Sequence, residues 1–75
     1  MATPKNIKET LVANIKKCRS KCGLTQEQAA EAAGITAKYW QRLEMTSQTD
    51  LPSLTMLYTI AEVLKTTPSK LLDPY

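Results

Sequence analysis

Apolar residues recur at Ile7, Leu11, Ile15, Cys18 and Cys22, in steps of four, four, three and four. That spacing traces one stripe of an α-helix. Thr3-Pro4 supplies a cap followed by proline at the first helical position, and Gly23 stands where a helix yields to a left-handed residue. A second start follows at once. Thr25 and Gln28 fit a capping box, and TQEQAAEAA is a short, alanine-rich helix closed by Gly34. Thr36 caps a third helix, expected to run to about Met45, with Trp40 and Leu43 as its apolar stripe and Ile35 just ahead. TSQTDLP has the composition of a loop. Ser53 then caps a fourth helix with the stripe Leu54, Leu57, Ile60, Ala61 and Leu64. Thr67-Pro68 repeats the cap-then-proline signature and opens a last short turn that offers Leu71 and Leu72 for packing. No segment alternates at period two for long enough to predict a strand. The pattern predicts an all-α fold: a compact five-helix bundle forming one domain over residues 1–75, without repeats or linkers.

The stretch 25–45 carries the functional expectation. Two helices joined only by Gly34, Ile35 and Thr36 must cross steeply. A close crossing demands small side chains, and Ala30, with Ala29 and Ala33 beside it, is placed for that contact. Gly34 lets the chain take a positive φ. Ile35, Trp40 and Leu43 then anchor the second helix, which leaves Ala37, Lys38, Gln41, Arg42 and Met45 facing outward. That is the plan of a helix-turn-helix, whose second helix (about 36–45 here) enters the DNA major groove while the first aims its N-terminus at phosphate. Gln26 adds a side-chain donor at that end.

The residues Gln26, Ala30, Gly34, Trp40 and Leu43 fall in register with the helix-turn-helix motif of the phage lambda repressor/Cro-like family, which the chain resembles. The run Gly23-Leu24-Thr25-Gln26 is similar to that family's approach to its second helix. Leu57 to Leu64, followed by Thr67-Pro68, resembles its fourth helix and the start of its fifth, so the likeness covers about residues 7–72. The resemblance implies roles for matching positions. Gln26 would contact phosphate. Thr36 would cap the recognition helix and touch phosphate. Ala37, Lys38 and Arg42 would face bases, with guanine O6 and N7 as targets for the cations and a thymine methyl for Ala37. Tyr39 would lie at the edge of the contact, and Gln41 is a weaker base-reading candidate. Arg19 and Glu44 match a pair that joins the first helix to the end of the recognition helix by a salt bridge.

Charge modifies this picture. Residues 1–22 hold six basic groups against Glu9 alone, a net +5, whereas residues 23–75 sum to −2. A basic first helix fits either a polyanion partner or a solvated face. Lys65 and Lys70 are read as solvated. The segment MTSQTDLP (45–52) lacks the lysine or arginine that often follows the family's recognition helix, so Lys5, Lys8, Lys16 or Lys17 would have to supply cationic help.

Composition narrows the chemistry. The chain has no histidine, and its only cysteines, Cys18 and Cys22, have CxxxC spacing, so no zinc set can be assembled and both read as packing residues. Neither a cofactor, nor a metal, nor an enzymatic nucleophile–base set is expected. No apolar run approaches the roughly 20 residues of a membrane span, and no secretory leader is evident, so a cytoplasmic protein is expected. The leading expectation is a sequence-specific transcriptional regulator, of repressor or controller type. It would bind a pseudo-palindromic double-stranded DNA operator as a homodimer, through the fourth and fifth helices and the tail, including Tyr58, Leu71, Leu72 and Tyr75. The alternative is a protein-interaction module, such as an antitoxin with a protein partner and weak DNA binding.

Overall fold

The computed structural model describes residues 4–47 and 51–73, with side chains from Ile7 onward. Among the described residues the chain forms five helices and no strand: α1 (Pro4–Lys21), α2 (Gln26–Ala33), α3 (Ala37–Leu43), α4 (Leu54–Val63) and α5 (Pro68–Leu71). The fold is all-α, as the periodicity predicts. The expected cap at Thr3 lies outside the described residues, as do Asp50 and Tyr75.

Each later helix begins on a hydroxyl. The Thr25 hydroxyl accepts from the Gln28 N–H at 3.0 Å while Gln28 Oε1 accepts from the Thr25 N–H at 2.9 Å, a closed capping box. Thr36, Ser53 and Thr67 accept from the N–H groups of Tyr39, Met56 and Lys70. Such a cap contributes about 1 kcal/mol.

Three helix ends are closed by one device. Past α1, the Leu24 N–H returns to the Arg19 carbonyl and the Gly23 N–H to Ser20. Past α2, Ile35 returns to Ala30 and Gly34 to Glu31. Past α4, Thr66 returns to Ala61 and Lys65 to Glu62. The motif needs a left-handed residue. It is Gly23 (φ 70°) at the first end, Gly34 (φ 74°) at the second and Lys65 (φ 56°) at the third.

The core joins Leu11 and Ile15 of α1, Ala29 and Ala30 of α2, Trp40 and Leu43 of α3, Leu57, Ile60, Ala61 and Leu64 from α4 to its cap, and Leu71 of α5. Helix α2 packs on α3 and α4, and α5 packs on α1 and α4. The last joint is polar. The Asn14 side-chain amide donates to the carbonyls of Leu71 at 2.8 Å and Asp73 at 2.7 Å, holding the end of α5 on α1.

Four expectations are corrected. Helix α3 ends at Leu43, not Met45, because Glu44 leaves helical geometry as its carboxylate turns inward. Leu54 is 84% exposed: it is the first residue of α4 and precedes the inward stripe. Leu71 is fully buried in the core and so is not available to the expected dimer surface, whereas Leu72, the residue that caps α5, stays half exposed. In α1 the buried stripe is wider than the spacing suggests and takes in Val12 and Lys8.

Candidate nucleic-acid interface

The three residues between α2 and α3 determine how α3 is presented. Gly34 turns the chain, Ile35 packs against the core and Thr36 caps α3. The buried Ala29 and Ala30 let α2 and α3 approach closely. Trp40 and Leu43 point inward, at 0% and 3% exposure. Ala37 and Tyr39 are half-buried against the core. Lys38, Gln41 and Arg42 are exposed, and their spacing of three and one aligns them on a single outward stripe. The structure therefore separates the residues expected to face outward: Lys38, Gln41 and Arg42 stand out, while Ala37 is half-buried on the shoulder, beside Tyr39, which was expected at the edge. Thr36 is exposed, with its hydroxyl engaged in the cap.

At the other end of α3 the Glu44 carboxylate is buried and collects four donors. Arg19 Nε donates to Oε2 at 2.7 Å and Arg19 Nη2 to Oε1 at 3.1 Å. The Gln26 side-chain amide donates to Oε1 at 3.0 Å, and the Trp40 indole N–H donates to Oε2. Arg19 also donates through Nη1 to the Leu24 carbonyl at 3.0 Å. Burial disfavours the charge on Glu44, but the hydrogen bonds from Arg19, Trp40 and Gln26, with the Arg19 charge, outweigh it and hold the carboxyl below its ordinary pKa. Helix α1, the start of α2, and the middle and C-terminal cap of α3 are thus joined at one carboxylate.

Lys8 corrects the charge reading of α1. It is 2% exposed, and its ammonium reaches the Arg42 carbonyl at 3.4 Å. A cation there meets the negative end of α3. Lys8 is therefore a buried support of the helix, not part of a cationic surface. Lys16 and Lys17 are exposed, while the side chain of Lys5 lies outside the described residues.

The family model for the helix-turn-helix domain matches residues 10–72. The chain belongs to the helix-turn-helix domain family. Its architecture is the lambda repressor-like one. The crystal structure of an HTH_3 family transcriptional regulator from Vibrio cholerae superimposes with a TM-score of 0.81 at 23% identity. The match covers 96% of this chain and 40% of that one, so the chain spans less than half the length of that regulator. No curated protein matches.

Within this helix-turn-helix unit, sequence reasoning did not anticipate three partners. Trp40 and Glu44 lie four apart on one helical face, a spacing that signals contact. Gln26, which the sequence points toward phosphate, donates its side-chain amide to Glu44 in the structure. Lys8 carried no local signal of burial, because the Arg42 carbonyl it reaches is 34 residues away.

Proposed function

We propose that the chain is a sequence-specific, double-stranded-DNA-binding transcriptional regulator of repressor or controller type, working as a homodimer in the cytoplasm. The observation that carries this reading is the outward stripe of α3, Lys38, Gln41 and Arg42, backed by the buried Trp40 and Leu43. Residues held on a rigid helix reach base edges in the major groove. Arg42 or Lys38 reads guanine, Gln41 joins them from the same stripe, and Ala37 meets a thymine methyl. Thr36 and Tyr39 border the contact. The side-chain amide of Gln26 has two hydrogens; one holds Glu44, which leaves a second to donate to phosphate. Arg19 and Glu44 keep α3 at its angle and do not touch DNA.

One module offers few base contacts, and a two-fold dimer doubles them. Leu54 and Tyr58, four apart on α4 and 84% and 64% exposed, supply an apolar ridge that supports self-association. The same ridge favours the second reading, a protein-interaction module such as an antitoxin. No helix among the described residues is long and apolar enough to cross a membrane.

Selection from a random double-stranded DNA pool, followed by binding across a salt series, tests the proposal. An enriched pseudo-palindrome whose affinity falls steeply with salt supports it. No enrichment, with uniformly weak binding, overturns it in favour of the interaction module.

A further inference from the structure

A cleft of about 530 Å³ opens between the C-terminal half of α1, the end of α4 and α5. None of its lining residues belongs to α2 or α3. Four lysines, Lys17, Lys21, Lys65 and Lys70, line it, and among the described residues the one carboxylate on its wall is Asp73. The four come from different parts of the fold: two from α1, one from the turn after α4 and one from α5. Like charges gathered from three segments repel, and nothing in the packing of the core requires them there.

Lys65 adds an independent observation. The two equivalent helix ends use Gly23 and Gly34, but this one holds a lysine at φ 56°. A non-glycine residue at positive φ is disfavoured, and such strain collects at functional positions. Lys65 keeps its strained backbone while its side chain lines the cleft. The walls are fixed from below. The Asn14 amide clamps α5 to α1, and the Cys22 thiol donates to the Leu64 carbonyl at 3.4 Å.

We propose that this cleft is a binding site for a small, soluble polyphosphate. Four ammonium groups against one carboxylate match an anion of several charges, and lysine recognises phosphate as a point charge. The volume lies within the roughly 300–1,000 Å³ of small-molecule sites. The site stands apart from the α3 stripe, so it holds whether or not the DNA-binding proposal does.

The test is titration of the ¹⁵N-labelled full chain with inorganic tripolyphosphate at low salt, following the amides of Cys22, Lys65 and Thr66. Saturable shifts confined to the cleft, with Kd below about 1 mM, are expected. Lys65→Gly is the decisive variant, because glycine accepts the positive φ. Its melting temperature should be equal or higher while its affinity falls about fivefold, the factor for one charge contact near 4 Å in water. Paired reversal of Lys17→Glu and Lys70→Glu should abolish binding. The proposal is overturned by absence of saturable shifts, by unchanged affinity in Lys65→Gly, by equal affinity for sulfate at matched ionic strength, or by shifts that a short DNA duplex produces and tripolyphosphate does not.

Discussion

Arg19 and Glu44 meet in a two-pronged ion pair, Nε to Oε2 at 2.7 Å and Nη2 to Oε1 at 3.1 Å, that fastens α1 to the end of the outward-facing helix α3. The Glu44 side chain is buried, whereas the Arg19 side chain is 21% exposed. Removing the acid strands a cation and the buried indole N–H of Trp40 together. Glu44→Ala should therefore destabilise the fold by about 3 kcal/mol, the lower end of the range for a broken buried pair. In a domain this small, that should lower Tm by more than about 10 °C. Circular dichroism melts check it, and an unchanged Tm would remove the bridge from the account.

The same carboxylate makes stability depend on pH. Its folded pKa lies below the ordinary value of 4.5. Between the two values the unfolded chain binds a proton that the folded chain does not, so stability rises with pH there. The contribution is complete above the unfolded value and is lost as pH falls through the folded one. Urea melts from pH 7 to pH 3 should show this acid-side loss, and the loss should shrink in Glu44→Gln. Parallel curves for both proteins would contradict the assignment.

Lys8 should behave as a core residue. Lys8→Ala removes a buried stem and its contact with the Arg42 carbonyl, at a cost of about 1–3 kcal/mol. Lys8→Met keeps the stem and should lose less. Neither should change the salt slope of DNA binding, whereas Lys38→Ala should reduce it by about one. A reduced slope for Lys8→Met would instead put that ammonium on the duplex.

Gly34 isolates a backbone effect. A Cβ added there meets nothing within 4 Å, so Gly34→Ala tests φ alone. The expected loss is about 1 kcal/mol, from forcing alanine into the left-handed region. Chemical denaturation measures it, and a neutral result would mean that the turn has another accessible geometry.

Arg42 tests base reading. Its backbone carbonyl holds Lys8, so truncating its side chain leaves that contact in place. Arg42→Ala should cost about 1–3 kcal/mol on the selected operator and relax preference at one base position. Equal losses on every sequence would reduce Arg42 to a non-specific charge.

Local chemistry is what the sequence made legible. A hydroxyl followed three residues later by a free N–H defines a cap wherever it occurs, so Thr25, Thr36, Ser53 and Thr67 marked four helix starts. The apolar stripe marked Leu11, Ile15, Trp40, Leu43, Leu57 and Ile60 as core, and the structure buries them all. The end of α3 and the fate of Leu54 were not legible, because both lie at helix termini, where the next element decides what is covered. Lys8 misled for a related reason: a lysine is normally solvated, and here a carbonyl distant in sequence helps to hold it inside.

The five helices and the caps of α2 to α5 follow from neighbours within four positions, and the short Gly34-Ile35-Thr36 link with its flanking alanines prescribes the close crossing of α2 on α3. Arg19 reaches Glu44 as the family resemblance implied, but tertiary structure alone drew Lys8 to α3 and gathered Lys17 and Lys21 with Lys65 and Lys70 around a cleft. Charge carries no helical period of its own. Its destination depends on which oxygen atoms and which other charges folding brings within a few ångströms.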